Sequence, residues 1–169
     1  MEILIFSDSH GNVQPMLRVI AEHPSATHLL FCGDGVKDLA DVEACFPRLI
    51  VLGVRGNCDL FGADGYPYER EVTFGSLRIL MMHGHTYGTK GGYGGAVAHA
   101  GREGFDLLLC GHTHQALDTR YDLGDGGTLQ VFNPGSIGKR EAGGYSYGVL
   151  TIRDNGYLLS HGLLCADRV

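Results

Sequence analysis

The chain has 169 residues, 44% of them hydrophobic and 19% charged, with a formal net charge of -6. That balance suits one domain, 1–169, with a substantial core, and it excludes a disordered chain. It also excludes a long non-specific nucleic-acid groove, which needs a basic face, and no apolar run approaches the roughly 18 residues that span a bilayer.

The first apolar run, EILIF at 2–6, reads as a fully buried strand, and a helical stretch follows at 13–22. HLLF at 28–31 reads as a second strand, followed by a helix near 38–46 and a third strand, LIVL, at 49–52. Strands alternating with helices imply parallel strands joined by crossover helices in this half. The second half changes character. YEREVTF, the turn GS and LRILMM predict a hairpin at 68–82. The glycine-rich stretch GTKGGYGGAVAHAGREG holds a helix in its later part, and DLLLC at 106–110 is a strand. Two more hairpins follow, ALDTRYDL with TLQVF and YSYGVLTI with GYLLSHGLL, the second turning at the DNG of 154–156. The expected fold is α/β, with two mixed β-sheets packed together and helices outside.

Cys32, Cys45, Cys58, Cys110 and Cys165 are odd in number and contain no C-x-x-C pair. This argues against a disulfide framework and against a thiolate zinc knuckle. The start, MEILIFSDSH, carries no basic n-region, so no signal peptide is expected and a reducing cytoplasm is the natural compartment.

The apolar runs share a manner of stopping. EILIF hands over to Asp8 and His10, HLLF to Asp34, and LIVL to Asn57. LRILMM hands over to His83 and His85, and DLLLC to His112 and His114. Carboxyl ends of parallel strands line one edge of an open sheet, where ligands bind. Glycine directly precedes Asp34, Asn57 and His112, which permits tight turns there. Asp8 and His10, like His112 and His114, are two apart, and in extended chain such side chains point the same way about 6.5 Å apart. Mixed oxygen and imidazole donors without a required thiolate suit Mn, Fe, Co, Ni or Zn. A lone D-x-H or H-x-H is weak; five strand ends with one habit are not. His23, His28, His99 and His161 lie off the pattern and read as structural or surface residues.

With DSH at 8–10, GD at 33–34, GNCD at 56–59, HGH at 83–85, GHTH at 111–114 and NPGS at 133–136, the chain resembles the calcineurin-like metallophosphoesterases. The likeness is to their small single-domain bacterial and archaeal phosphodiesterase branch and spans about residues 8 to 138. The resemblance implies an αββα sandwich and a centre of two divalent transition metals, Mn first, with Fe, Ni, Co and Zn as alternatives. Asp8, His10 and His114 would hold one metal, and Asn57, His83 and His112 the other. Asp34 would bridge both, with His85 as runner-up for the place of His83. Two divalent cations bring about +4 and two carboxylates return about -2, so the centre suits an anionic ester. The implied reaction is hydrolysis of a small phosphodiester by attack of a metal-bound hydroxide on phosphorus.

Cys58 follows Asn57 where many relatives carry a histidine thought to protonate the leaving group. It reads first as a spacer or substrate-facing residue, second as a proton donor, and only distantly as a nucleophile. Asp59 either orients a water or closes the turn, Asn12 is a candidate helix cap, and Arg55, Lys139 and Arg140 are weak phosphate candidates. The expected partner is a small phosphoester, with no long nucleic acid and no membrane; the sequence leaves room for a homo-oligomer. The alternatives are a phosphomonoesterase on the same site and a non-catalytic binding module like the scaffold subunit of the retromer coat.

Overall fold

Strand β1 (Glu2–Phe6) shows how the layers arise, because its four core residues face two ways. Ile3 and Ile5 join one apolar cluster, Leu4 and Phe6 another, and all four are fully buried. A strand buried on both faces needs a cover on each side. The computed structural model, which describes residues 1–124, 126–140 and 144–165, supplies both covers.

On one face of β1 lie helices α1 (Gln14–Glu22) and α2 (Leu39–Cys45), which contribute Met16, Val19, Ile20, Leu39 and Val42. A short 3₁₀ turn, Val36–Asp38, leads into α2. The expected helices at 13–22 and 38–46 therefore agree to within a residue or two. The expected cap at Asn12 does not: Val13 holds the cap position without a side-chain bond, and Asn12 Nδ2 donates instead to Gly138 O at 3.0 Å.

The other face of β1 meets a second sheet. Each of the two sheets has five strands. In the first, β2 (Ala26–Phe31) runs parallel to β1 and to β3 (Ile50–Gly53). Strands β9 (Gly144–Arg153) and β10 (Gly156–Cys165) form the expected hairpin and join antiparallel at β1. In the second, β4 (Glu69–Phe74) and β5 (Leu77–Met82) make the hairpin, and β6 (Leu107–Leu109) runs parallel to β5 and β8 (Thr128–Asn133). Strand β7 (Leu117–Asp122) closes that edge antiparallel to β8.

Ile79, Met81, Leu107, Leu109 and Phe132 of the second sheet pack against Ile3, Ile5 and Leu30 of the first. Helix α3 (Gly94–Arg102) covers the outer face of the second sheet through Ala96, Val97 and Ala100. The result is the four-layer αββα arrangement. Its consequence for function is directional: β1, β2, β3, β5 and β6 all end at one rim, and their following loops meet there. Among the described residues no helix is long and apolar enough to cross a membrane.

Candidate metal centre

The rim loops are stitched to one another before any side chain is considered. Asp8 N donates to Gly33 O at 2.9 Å, His10 N to Asp34 O at 3.0 Å, and Gly111 N to His83 O at 3.1 Å. These bonds join neighbouring loops within each sheet, and His112 N, donating to Asp8 Oδ2, ties the loops of one sheet to those of the other. Gly111 is required by that closeness, since a Cβ there would collide with Ser7 Oγ and sit 2.8 Å from Asp8 Oδ2. Gly56 is required likewise, its Cβ falling onto the Asp34 carboxylate.

Asp8, His10 and His114 converge. His114 Nε2 lies 3.1 Å from Asp8 Oδ1, His10 Nε2 lies 3.6 Å from it, and the two imidazole nitrogens are 3.2 Å apart. Donors about 2.1 Å from one cation stand roughly 3.0–3.5 Å apart, close to the 3.1–3.6 Å seen. Two Nε2 lone pairs facing each other repel unless a proton or cation stands between them. The extended geometry expected from the spacing is not what brings these side chains together. Asp8, His10, Asp34, His112 and His114 all have left-handed backbone, φ 49–68°, so the pairs converge through sharp turns and not through extended alternation.

Asp34 and His83 form the neighbouring group. His83 is fully buried, and its Nδ1 lies 2.7 Å from Cys32 O. A carbonyl only accepts, so Nδ1 carries the proton and Nε2 presents its lone pair. That Nε2 stands 3.3 Å from Asp34 Oδ2, and the same oxygen is 3.9 Å from His10 Nε2. One carboxylate oxygen thus faces both donor groups. His83 Nε2 and the buried Asp8 Oδ1 have no hydrogen-bond partner. Leaving buried polar atoms unpaired costs about 1–3 kcal/mol each, and a divalent cation would satisfy both. On this test the residues fit a metal centre.

The remaining donors lie around His83. The His112 ring centroid is 5.0 Å from that of His83, and His85 is 5.4 Å from His83 and 6.1 Å from His112. His112 N donates to Asp8 Oδ2 at 3.1 Å, tying its loop to the first group. Asn57 is at the exposed rim, its Nδ2 turned to Cys58 Sγ at 3.3 Å, while Cys58 N donates to Asp34 Oδ1 at 2.7 Å. His23, His28, His99 and His161 sit elsewhere, engaged with Glu2 and Tyr147, Phe74, Glu69, and Asn133 O with Phe132.

The electrostatics suit ligation. Burial alone would raise Asp8, but the imidazoles of His10, His114 and His83 and the Ser7 hydroxyl outweigh it and hold the carboxyl down at about 2. Asp34 likewise resists its own burial through His83 and the Cys58 N–H and stays well below the usual carboxylate range. Desolvation, then the charges of His83 and Lys90, lower His112 to about 4, so its imidazole is neutral at pH 7. His85 is lowered in the same way, by burial and by His83. The carboxylates raise His83 against its desolvation, so a proton and a cation compete for its Nε2. Burial, then Asp34, Asp59 and Asp8, push the Cys58 thiol up to about 11.

Four positioning residues escaped the reading of strand ends. Asp59 accepts backbone N–H bonds from Asp34 (2.8 Å), Gly35 (2.8 Å), Val36 (3.1 Å) and Gly56 (2.8 Å), so it closes the turn and clamps the β2 and β3 loops together. Asp38 accepts from Ser9 Oγ and Gly11 N at 2.6 and 3.0 Å. Asn133 Nδ2 donates to Gly111 O at 2.7 Å, and Ser136 Oγ to Asp8 O at 2.9 Å, which gives NPGS its purpose as a brace under both loops. The signal available for Asp59 was its place after a glycine turn, where a carboxylate finds free N–H groups.

An αββα sandwich with a donor-lined rim of this kind defines the phosphoesterase class of metal-site proteins. The profile "Calcineurin-like phosphoesterase superfamily domain" matches residues 1–155, and the chain belongs to that family. It is 33% identical to "Probable metallophosphoesterase YsnB" of Bacillus subtilis (strain 168), over 92% of this chain and 86% of that one. Among solved structures it is similar to an archaeal phosphodiesterase, with a TM-score of 0.72, 20% identity, and 96% and 100% of the two chains covered. It is also similar to a Vps29 single mutant from Entamoeba histolytica, with a TM-score of 0.70, 20% identity, and 97% and 99% covered. At these identities the two structures speak for the fold alone.

Proposed function

We propose that the chain is a metal-dependent phosphodiesterase acting on small phosphodiesters. The observation that supports it best is Asp34 Oδ2, placed between His10 and His83 so that one carboxylate serves two donor groups. Asp8, His10 and His114 would hold one divalent metal and Asn57, His83 and His112 a second, with Asp34 shared. The oxygen and imidazole set favours a transition metal, and Mn is the first to test, ahead of Fe, Co, Ni and Zn. Bound there, such metals supply Lewis-acid charge and lower the pKa of coordinated water.

The residues of the chain do the rest. Asp8 and Asp34 are ionised throughout the physiological range and partly neutralise the centre. His112 offers a neutral imidazole, and the Cys32 carbonyl fixes the tautomer of His83. Asp59 and Asn133 hold the loops in register, so the donors need little reorganisation. Cys58 keeps its proton on Sγ at neutral pH, which argues against a thiolate nucleophile. A cleft of about 370 Å³ opens over His10, Asp34 and Cys58, a size for a small ester. A larger cavity of about 600 Å³, at Phe74, Arg120, Arg153 and Tyr157, contains none of these donors.

The test is hydrolysis of bis-p-nitrophenyl phosphate by the Mn²⁺-supplemented protein against an EDTA-treated control. Metal-dependent release of p-nitrophenolate, faster than from p-nitrophenyl phosphate, is expected. Faster turnover of the monoester would make the chain a phosphomonoesterase. No turnover and no retained metal would leave the binding-module reading as the rival.

A further inference from the structure

Leu60 and Phe61 are each 77% exposed, the most exposed large apolar side chains among the described residues. Such groups contribute little to the fold, and their place on the rim of a cleft leaves them free to touch whatever enters it. They directly follow Cys58 and Asp59, and together with His10, Asp34 and Lys37 they line the 370 Å³ cleft. Every other side chain lining that cleft is polar, ionisable or a thiol.

We infer that Leu60 and Phe61 form an apolar lip that packs against a flat aromatic ester group of the substrate, making the chain selective for aryl-type phosphoesters. This rests on the phosphoesterase reading above. A phosphoester has an anionic head and an organic arm. Loaded with metal, the donor cluster would attract the head, so the arm would lie within a few ångströms of it, on whatever wall the cleft provides. The lip is the apolar part of that wall.

Its base is rigid, because Asp59, the residue before Leu60, holds four backbone N–H groups on two loops. Lys37 shares the wall: a Cβ built at Gly62 would lie 3.1 Å from Lys37 Cε, so the lysine stem runs beside the loop that carries the lip. An ammonium next to an apolar face suits an anion with an aromatic arm. A protein partner is the poorer fit, since a stable interface buries about 800 Å² per partner and two side chains offer far less.

The test uses Mn²⁺-loaded protein with phenyl phosphate and inorganic phosphate as probes. The chain contains no tryptophan, so Phe61→Trp creates a unique fluorophore at an exposed position where folding is undisturbed. Phenyl phosphate is expected to give a saturable change in its emission, and inorganic phosphate none. In the wild-type protein, phenyl phosphate should compete with bis-p-nitrophenyl phosphate about tenfold better than inorganic phosphate does, the scale of one aromatic stacking contact. In the Leu60→Ala/Phe61→Ala double variant that ratio should fall toward one. An emission that ignores phenyl phosphate overturns the inference, as does a ratio that survives in the double variant. If no hydrolysis occurs at all, the phosphodiesterase reading falls. The tryptophan titration then decides the lip by itself: a saturable response upholds it, and silence overturns it.

Discussion

Asp59→Ala isolates the part of the site that holds without touching metal or substrate. The carboxylate accepts four backbone N–H groups at 2.8–3.1 Å, two on each oxygen. Each donor left unpaired costs about 1 kcal/mol or more, and water entering from the open side of the cleft recovers part of that. The net loss is then about 2–4 kcal/mol. For a chain of this length each kcal/mol moves Tm by roughly 2–4 °C, so thermal unfolding of the metal-free variant should fall by about 4–16 °C. Activity should fall too, because Asp34 N and Gly56 N flank the shared carboxylate and lose their register. Asp59→Asn discriminates further: its amide NH₂ would face two backbone donors, so it should recover little of the loss. Differential scanning fluorimetry and bis-p-nitrophenyl phosphate turnover read the two effects. A Tm within about 2 °C of wild type in the alanine variant would refute the clamp.

Asp34→Asn should abolish metal-dependent turnover and lower the metal content found by elemental analysis, since it removes the charge that both donor groups share. Cys58→Ala should cost less kcat than His112→Ala, because the thiol is dispensable for ligation; equal collapse in steady-state assays would show an essential thiol. In the metal-free protein, Asp8 stabilises the fold fully above its unfolded pKa of about 3.9. That contribution is lost as pH falls through the folded value of about 2, so Asp8→Asn should flatten the acid limb in urea unfolding between those limits. His114→Gly should be more stable than His114→Ala by about 1 kcal/mol, because His114 has φ 59°; equal urea midpoints would deny strain there.

The strand-end donors were legible because each announces itself: an apolar run stops and Asp, Asn or His follows, directly at His83 and after a glycine or serine elsewhere. Nothing in a packed core accounts for that habit at Asp8, Asp34, His83 and His112 at once. The layers were legible for a related reason. Runs such as EILIF and LRILMM, apolar on both faces, demand cover on both sides. What stayed hidden was tertiary. Asn12 has the right chemistry for a helix cap, yet Gly138 O, distant along the chain, wins its amide. Asn133 and Ser136 brace loops more than 20 and 120 residues away, pairings that no local pattern encodes. Asp59 could be narrowed only to two roles, because its four partners sit on loops whose approach depends on both sheets being in place.

The left-handed residues explain why local reasoning could name candidate donors and still miss their geometry. Among the described residues every non-glycine with positive φ is one of five expected ligands: Asp8, His10, Asp34, His112 and His114. Each costs roughly 1–2 kcal/mol relative to a relaxed backbone, so together they oppose folding by an amount comparable to the 5–15 kcal/mol net stability of an ordinary domain. Glycine at these positions would relieve the backbone strain but lose the bonds the Asp8 and Asp34 carboxylates accept. The strain persists because the cross-loop bonds at Asp8 N, His10 N and Gly111 N fix the turns, and the turns aim side chains that glycine lacks. A site that served only to complete the fold would have no use for that arrangement. Five strained donor positions, with buried lone pairs on Asp8 and His83 still unmet, suit cation binding shared between the Asp8–His10–His114 and Asp8–Asp34–His83 groups.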